Sequence, residues 1–524
     1  MHDVIVVGAG AAGSVLAARL SEDPARKVLA LEAGRQPPEG SDMPAMWISL
    51  VNTEIDWGYH TVPQVGCKMR RIFWPRGKAL GGSSAINAMI YMRGLPMDYD
   101  TWEAMGATGW GWRDVFPTFL KSEHNARLSN DPFHGQGGPL HISDLAHVDP
   151  TERLWVAAAE AAGLPRNEDF NGAKQEGVGF FQLFVKDGER YGAAKAYLRP
   201  AMARPNLEVR TGVTTTRVLI EKGRAVGVEY LRNGRVEVAH AGEVVLSSGA
   251  IGSCQLLLLS GVGPADHLRS VGVDVALDLP GVGENLQDHI NVPITFHTKD
   301  PVGIGGMTDA ALAEAVEEWH AARTGAITSN WAAAGAHARS APEVEHPDLQ
   351  LYGVMAAGRD HARYLSARPG ITLHSTLQRP KSRGTIRLRS ADPLEHPAID
   401  PAYFASDPSG EDLAILTRGV RLNRRIAAAS PLAEIIDHEI TPSAEARTDA
   451  EIAEMIRGHC TTLYHAAGTC RMGTDALSVV DPQLRVHGID CLRVADASIF
   501  PMMVSGNTNA PTIMVAERCA MAMS

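Results

Sequence analysis

The sequence lacks the features that would set it apart from ordinary globular proteins. Its six cysteines are scattered and include no Cys-x-x-Cys pair, so neither a disulfide framework nor a cysteine-rich zinc site is indicated. No stretch approaches about 18 consecutive apolar residues, which argues against a membrane-spanning helix. Basic residues are in the minority, with 49 Lys and Arg against 60 Asp and Glu. The net charge of −11 therefore argues against a nucleic-acid partner that depends on phosphate neutralisation.

The composition otherwise supplies ample material for a large core. Of 524 residues, 45% are hydrophobic and 21% are charged, which excludes a disordered chain and a disulfide-dependent miniprotein. The 51 glycines and 31 prolines indicate many turns and close backbone contacts. A first predicted strand at 4–7 leaves no room for a leader peptide, and the unpaired cysteines suit a reducing compartment. These observations predict a cytoplasmic protein.

Hydrophobic periodicity predicts a mixed α/β chain. Residues 40–150 are rich in Trp, Pro and Gly and are expected to form long ordered excursions. Nucleotide-type features at both ends of the chain favour interleaved domains. The predicted elements are a strand at 4–7, a helix through residue 20, strands at 27–31, across 209–231 and at 243–246, a helix over 308–323 capped by Thr308 and stopped by Gly325, strands at 371–378 and 384–389, and a helix from about residue 511.

A glycine-rich motif directly follows the first predicted strand. In Gly8-Ala9-Gly10-Ala11-Ala12-Gly13, the first glycine permits a tight turn, the second lets the backbone approach a pyrophosphate, and the third lets the helix pack on the strand. Glu32 follows the second predicted strand, where it can accept hydrogen bonds from an adenosine ribose. This order of elements predicts a dinucleotide site and leaves FAD and NAD(P) open.

A second glycine loop decides between these cofactors. Residues 77–87 read Gly-Lys-Ala-Leu-Gly-Gly-Ser-Ser-Ala-Ile-Asn, and the backbone N–H groups of such a loop can hold phosphates or line a flat ring. The loop resembles the first signature of the glucose–methanol–choline (GMC) oxidoreductases, which bind FAD. The resemblance covers essentially the whole chain and is closest to the bacterial choline-dehydrogenase-like and alcohol oxidase branch. Further similar blocks lie at 249–263, where Cys254 replaces the usual proline, and at 281–289, 382–384, 400–401, 464–473 and 506–512.

The resemblance implies an α/β fold in which a Rossmann-type FAD-binding domain is interleaved with an α+β substrate-binding domain that has a mostly antiparallel sheet. The FAD-binding domain is expected at 1–90, 200–298 and 456–524, and the substrate-binding domain at 91–199 and 299–455. The residues that the resemblance assigns to FAD are Gly8, Gly10, Ala11, Ala12, Gly13, Glu32, Ala33, Gly81, Gly82, Ser84, Asn87, Ala88, Met89, Val213, Asp496, Ala497, Asn507 and Thr508.

The resemblance also implies how FAD is held and oriented. Asp496 is expected on the phosphate or ribityl side, and the C-terminal helix is expected to direct its positive end at the flavin. Some family members attach the flavin through a His in the second glycine loop. Here that loop ends in Ala85-Ile86-Asn87, so we expect FAD to be bound non-covalently.

By the same resemblance, the catalytic base is His465 and its partner is Asn509. A neutral imidazole, with an ordinary pKa of about 6.5, suits the removal of a hydroxyl proton, while the flavin accepts the hydride. Many family members carry a second His where this chain has Asn509, so a single base is implied. His459 and His465 lack a third ligand at metal spacing, and no metal site is predicted.

The predicted activity is FAD-dependent oxidation of a primary alcohol to an aldehyde, with Trp331 and Tyr464 at the substrate. Choline-oxidising relatives carry a Glu in a segment that we match to 329–335, which holds no acid here. A neutral, apolar or aromatic alcohol is therefore favoured over choline, since a quaternary ammonium is usually held by aromatic faces and a carboxylate. Choline dehydrogenation, a redox-silent FAD-containing lyase and an NAD(P)-binding protein without flavin remain alternatives. Oxygen and a quinone-like carrier both remain open as the electron acceptor.

Overall fold

The structure is a computed structural model that describes residues 1–361 and 364–524. Two seven-stranded sheets organise it. In chain order, their strands are β1 (His2–Val7), β2 (Val28–Glu32), β3 (Gly177–Phe180), β4 (Leu207–Thr211), β5 (Val213–Glu221), β6 (Arg224–Arg232), β7 (Arg235–Leu246), β8 (Ile290–Thr298), β9 (Ala334–Ala338), β10 (Leu349–Val354), β11 (Gly370–Leu377), β12 (Ile436–Glu439), β13 (Thr461–Thr462) and β14 (Leu492–Val494).

Helices and short strand pairs complete the chain. The α-helices are α1 (Ala11–Leu20), α2 (Pro96–Ala104), α3 (Trp112–Ser122), α4 (Pro150–Ala161), α5 (Arg199–Ala201), α6 (Gly249–Leu259), α7 (Ala265–Ser270), α8 (Asp309–Ala322), α9 (Glu411–Ala427), α10 (Leu432–Ile435), α11 (Asp449–His459) and α12 (Asn509–Ala522). Two-stranded pairs join Tyr59–His60 to Phe73–Trp74, Glu123–Asn125 to Leu140–Ile142, Val185–Lys186 to Glu189–Arg190, Val262–Gly263 to Leu277–Asp278, Gly358–Arg359 to Tyr364–Leu365, and Thr385–Arg387 to Ala398–Asp400.

The first sheet has a parallel half and an antiparallel half. Its order is β4-β2-β1-β7-β6-β5, and β14 pairs with β7. β1 runs parallel to β2 and β7, so that Val7 lies opposite Leu31 and Leu246. Residues 4–7 are all buried, as expected of a parallel strand covered on both faces. The carboxyl ends of β1 and β2 meet at one edge, which brings the glycine turn beside Glu32.

The second sheet is antiparallel, with the order β12-β8-β11-β10-β9-β3 and β13 paired to β8. Helix α9 packs on one of its faces, where Asn423 Nδ2 donates to Ser375 Oγ over 2.9 Å. Because side chains alternate along a strand, His374 and Thr376 of β11 point to the other face. Thr376 lies opposite Asn291 of β8 in the ladder.

The predicted fold class is confirmed, and two element boundaries need correction. The helix expected over 308–323 is α8, and Thr308 Oγ1 caps it by accepting from Ala311 N over 3.2 Å. It ends at Ala322, and Arg323, with a left-handed φ of 58°, terminates it in place of the predicted Gly325. The predicted strand at 384–389 is shorter, Thr385–Arg387. Nowhere in residues 1–361 and 364–524 is there a helix of the length and apolarity that crossing a membrane requires.

Candidate active site and cofactor cavity

A cavity of about 550 Å³ is lined by residues of both sheets. This volume falls within the range of small-molecule and cofactor sites, about 300–1,000 Å³. One end, which we call the nucleotide end, is bordered by the β1–α1 turn and the end of β2. The other, which we call the substrate end, is bordered by residues of β8, β10 and β11 and by the segment that carries His465.

Close backbone packing shapes the nucleotide end. A Cβ added to Gly13 would lie 1.7 Å from Gly8 O, so only glycine lets α1 approach β1 this closely. A Cβ added to Gly82, whose φ is 53°, would lie 2.7 Å from the Cα of Gly10. Gly81 N also donates to Ala9 O over 2.8 Å. The two glycine loops therefore touch each other through their backbones.

Glu32 supplies the carboxylate of the nucleotide end. Its Oε2 accepts from Ala9 N and its Oε1 from Gly34 N, each over 2.8 Å, which fixes the side chain beside the glycine turn. The residue lines the cavity and is 6% exposed. Burial raises the pKa of Glu32 to about 7. Ribose hydroxyls that donate to this carboxylate would compensate for its lost hydration.

The opposite side of the cavity holds an unpaired polar group. Nδ2 of Asn509 is fully buried without a hydrogen-bond partner within the described part of the chain. Asn509 is the first residue of α12, so the positive end of a 14-residue helix lies at the same place. An unpaired amide donor and a helix N-terminus suit carbonyl oxygens of a flat ring. The residues present therefore fit a dinucleotide flavin: glycines and a carboxylate at one end, and donors for a ring farther along.

The carboxylate of Asp496 is occupied by protein donors. It accepts from Gly249 N over 2.8 Å, from Ser253 Oγ over 2.5 Å and from Ser498 N over 2.8 Å. These bonds hold the start of α6 against the loop that follows β14. Asp496 lines the cavity while bracing its wall.

Most of the predicted site residues line the cavity. Three predicted cofactor residues do not: Gly13, Gly81 and Ser84 lie behind the lining, where Ser84 Oγ donates to Gly81 O over 2.7 Å. The expectation for Trp331 needs correction, because its ring is buried beside His147 and its neighbour Ala332 lines the cavity instead. The predicted residues that do line it are Gly8, Gly10, Ala11, Ala12, Glu32, Ala33, Gly82, Asn87, Ala88, Met89, Val213, Tyr464, His465, Asp496, Ala497, Asn507, Thr508 and Asn509.

His465 is paired with a second histidine that the sequence reasoning left without a role. Nδ1 of His289 lies 2.8 Å from Nδ1 of His465. Nε2 of His289 lies 2.9 Å from Gln378 O and 3.1 Å from Val504 O. Carbonyl oxygens only accept, so Nε2 of His289 carries the proton. Nδ1 of the same ring then carries a lone pair. His465 must then donate through Nδ1, and its lone pair is on Nε2.

The unprotonated Nε2 of His465 is available to a ligand. It has no hydrogen-bond partner among the described residues, and it is not among their fully buried unpaired atoms. Burial lowers the pKa of His465 well below its ordinary value, with smaller contributions from His289 and from Arg76. Burial also lowers the pKa of His289 to about 4. Both rings are therefore neutral at physiological pH.

The backbone around His465 is held from several sides. His465 N donates to Asp288 Oδ1 over 2.9 Å, and Tyr403 donates its hydroxyl proton to the other oxygen of this carboxylate. Tyr464 has a φ of 70°, which is unusual for a bulky residue, and its carbonyl accepts from the Arg76 guanidinium. The lone pair of His465 is thus fixed in place, and Arg76 joins His289 as a residue that the motif analysis missed.

The substrate end carries no acid from the second sheet. The lining residues on strands β8, β10 and β11 are Asn291, Tyr352, Val354 and His374. Tyr352 donates its hydroxyl proton to Asn507 Oδ1 over 3.3 Å. Elsewhere along the cavity, the rings of Trp57 and Tyr59 stack with centroids 5.8 Å apart. Within the described residues, no group of three or more His, Cys, Asp or Glu side chains could hold a metal ion.

Comparison with known proteins identifies the family. The family model "GMC oxidoreductase" matches residues 2–291 with its N-terminal part and 380–516 with its C-terminal part. The chain is 43% identical to an alcohol dehydrogenase [acceptor] of Pseudomonas putida over 99% of this chain and 95% of that protein. It is 41% identical to the mitochondrial choline dehydrogenase of Homo sapiens over 99% and 89%. Among solved structures, pyridoxine 4-oxidase from Mesorbium loti superposes with a TM-score of 0.90 at 33% identity, covering 99% of both chains.

The chain therefore belongs to the GMC oxidoreductase family. This confirms the resemblance drawn from the glycine loops and the C-terminal blocks. It also confirms the enzyme class, an FAD-dependent alcohol oxidoreductase.

Proposed function

We propose that the protein oxidises a neutral primary alcohol to its aldehyde, with FAD bound non-covalently in the cavity and His465 as the base. The observation that carries this proposal is the pair of neutral histidines, which leaves one lone pair, on His465 Nε2, facing the cavity. FAD, when bound, supplies the acceptor for the hydride that leaves the carbinol carbon.

The two ends of the cavity would bind different parts of FAD. The N–H groups of the β1–α1 turn and of Gly82 would hold the phosphates, and Glu32 would hold the ribose. Asn509 and the N-terminus of α12 would hold the ring. Ile86 lines the cavity in the second glycine loop, and its hydrocarbon side chain offers no nucleophile for a covalent bond.

Proton removal uses the fixed tautomer of His465. Its Nε2 accepts the hydroxyl proton of the alcohol, and the resulting imidazolium keeps donating through Nδ1 to His289. Because burial lowers the pKa of His465, the ring is unprotonated before substrate arrives and releases its proton readily afterwards. Asn509 can hold the alcohol oxygen but cannot take up a proton, which leaves a single base.

The neutral character of the substrate rests on the charges at the substrate end. Its lining residues on β8, β10 and β11 are amide, phenol, imidazole and hydrocarbon groups. A quaternary ammonium would find no carboxylate on those strands. Choline remains the competing substrate, since several of the relatives are choline dehydrogenases.

Anaerobic mixing of the holoenzyme with alcohols tests the proposal. Loss of flavin absorbance with a primary alcohol is expected, and admission of air then distinguishes oxygen from another acceptor. His465→Ala should slow flavin reduction by about two to four orders of magnitude while keeping the FAD spectrum. Asn509→Ala should cost only about tenfold, because a hydrogen bond and not the base is lost. Reduction of the His465→Ala enzyme at the wild-type rate would overturn the assignment.

A further inference from the structure

A second histidine, His374, faces the cavity from the antiparallel sheet. Its proton and its lone pair are on the opposite ring nitrogens from those of His465. Nδ1 of His374 lies 2.9 Å from Nδ2 of Asn291. On the other side of that amide, Asn291 Oδ1 accepts from Thr376 Oγ1 over 3.1 Å. An amide nitrogen only donates, so with Nδ2 of Asn291 facing the ring, Nδ1 of His374 accepts.

The proton of the neutral His374 ring is consequently on Nε2. This atom has no hydrogen-bond partner in residues 1–361 and 364–524, and it is not among their fully buried unpaired atoms. His374 lines the cavity, so its N–H is presented to whatever binds there. The ring stays neutral because burial lowers its pKa to about 4, with a smaller effect of His361.

The other polar groups on these strands have protein partners. Among the cavity-lining residues on β8, β10 and β11, the Tyr352 hydroxyl donates to Asn507, and the Asn291 amide donates to His374. Val354 and the adjacent Ala332 are hydrocarbon. The unpaired N–H of His374 therefore discriminates between ligands, because an apolar ligand leaves that donor unpaired.

Resting on the proposed alcohol oxidation, we propose that His374 determines substrate specificity. Its Nε2–H donates to an acceptor atom of the substrate that is remote from the reacting carbon. The preferred class is therefore a neutral alcohol that carries an ether, carbonyl or second hydroxyl oxygen along its chain. His465 accepts from the reacting hydroxyl, and His374 donates to the distal oxygen. The two rings therefore hydrogen-bond to two different parts of one substrate.

An oxygen walk along a chain of constant length tests this inference. Hexanol is compared with its ether isosteres propoxyethanol, ethoxypropanol and methoxybutanol, and kcat/KM is measured for flavin reduction. In the wild type, one ether position should be preferred over its neighbours by about 3- to 10-fold, the worth of one neutral hydrogen bond. The amides in which a –CONH2 group replaces the –CH2OH group of each alcohol have no carbinol to oxidise. Their affinities, measured by calorimetry, should follow the same order as kcat/KM.

Two variants separate recognition from a structural role. His374→Phe removes the donor and keeps a ring, so the ratio of kcat/KM for the preferred ether to kcat/KM for hexanol should fall towards 1. His374→Gln keeps an N–H donor and should restore part of the preference. An identical pattern of ether to hexanol ratios in the wild type and in His374→Phe would overturn the inference, as would an equal loss on all four alcohols. Failure of every alcohol to reduce the wild-type flavin would instead refute the proposed function, and this inference with it.

Discussion

The nucleotide end and the substrate end of the cavity are built in different ways. At the nucleotide end, two glycine loops pack backbone against backbone at Gly13 and Gly82, beside the single carboxylate of Glu32. At the substrate end, the wall consists of side chains whose protons are fixed by partners far away in the chain, as His289 fixes His465. The first end is specified by residue type at fixed spacing. The second is specified by hydrogen bonds between residues that are far apart in the sequence.

The comparison predicts that one methyl group added at Gly13 prevents the nucleotide end from binding FAD. Gly13→Ala places a Cβ 1.7 Å from Gly8 O, so α1 must move away from β1. We expect purified Gly13→Ala protein to retain little or no FAD, measured by absorbance after desalting. Gly40→Ala is the matched control, since a Cβ there meets nothing within 4 Å. Equal FAD content in the two variants would show that the close approach of α1 is not needed.

At the substrate end, removal of a partner should act through His465 without displacing FAD. His289→Phe deletes the acceptor of the His465 Nδ1 proton, so the imidazolium formed during proton removal loses its hydrogen bond. We expect anaerobic flavin reduction to slow by about 10- to 100-fold, because a buried hydrogen bond to a charged group is worth about 1.5–3 kcal/mol. His289→Gln, which can still accept, should recover part of the rate. An unchanged rate of flavin reduction in His289→Phe would show that the hydrogen bond between His289 and His465 does not contribute to proton removal.

A smaller change should alter the charge preference of the substrate end. Asn291→Asp is nearly isosteric and adds a carboxylate to a wall that has none on β8, β10 or β11. The ratio of kcat/KM for choline to kcat/KM for a neutral alcohol should rise by about tenfold, since a nearby negative charge favours a cation. Glu176→Gln, on the exposed surface ion pair with Arg339, is a control for a change of one charge. A ratio that is the same in Asn291→Asp and in the wild type would argue against charge as the basis of selectivity.

The same contrast explains how much the sequence could predict. The nucleotide end was predicted from the glycine spacing, Glu32 and the C-terminal blocks. This was possible because each glycine is required by a local turn or a close backbone contact. The motif also predicted His465, but not His289, whose role appears only when β8 brings it to within 2.8 Å. Trp331 was expected at the substrate because aromatic rings often line pockets. Its left-handed φ of 57° turns it into the core and leaves Ala332 at the cavity.

The pH dependence of anaerobic flavin reduction tests the central claim that His465 presents a lone pair to the substrate. Neutral His465 is the active form, and burial lowers its pKa, so protonation should abolish activity only in acid. With the holoenzyme and a primary alcohol, we expect kcat/KM for flavin reduction to be flat above the ordinary histidine pKa of about 6.5 and to fall only below it. The falling limb should be missing in His465→Ala. A wild-type rate that still rises through about pH 7–9, or the same acidic limb in His465→Ala, would contradict the account.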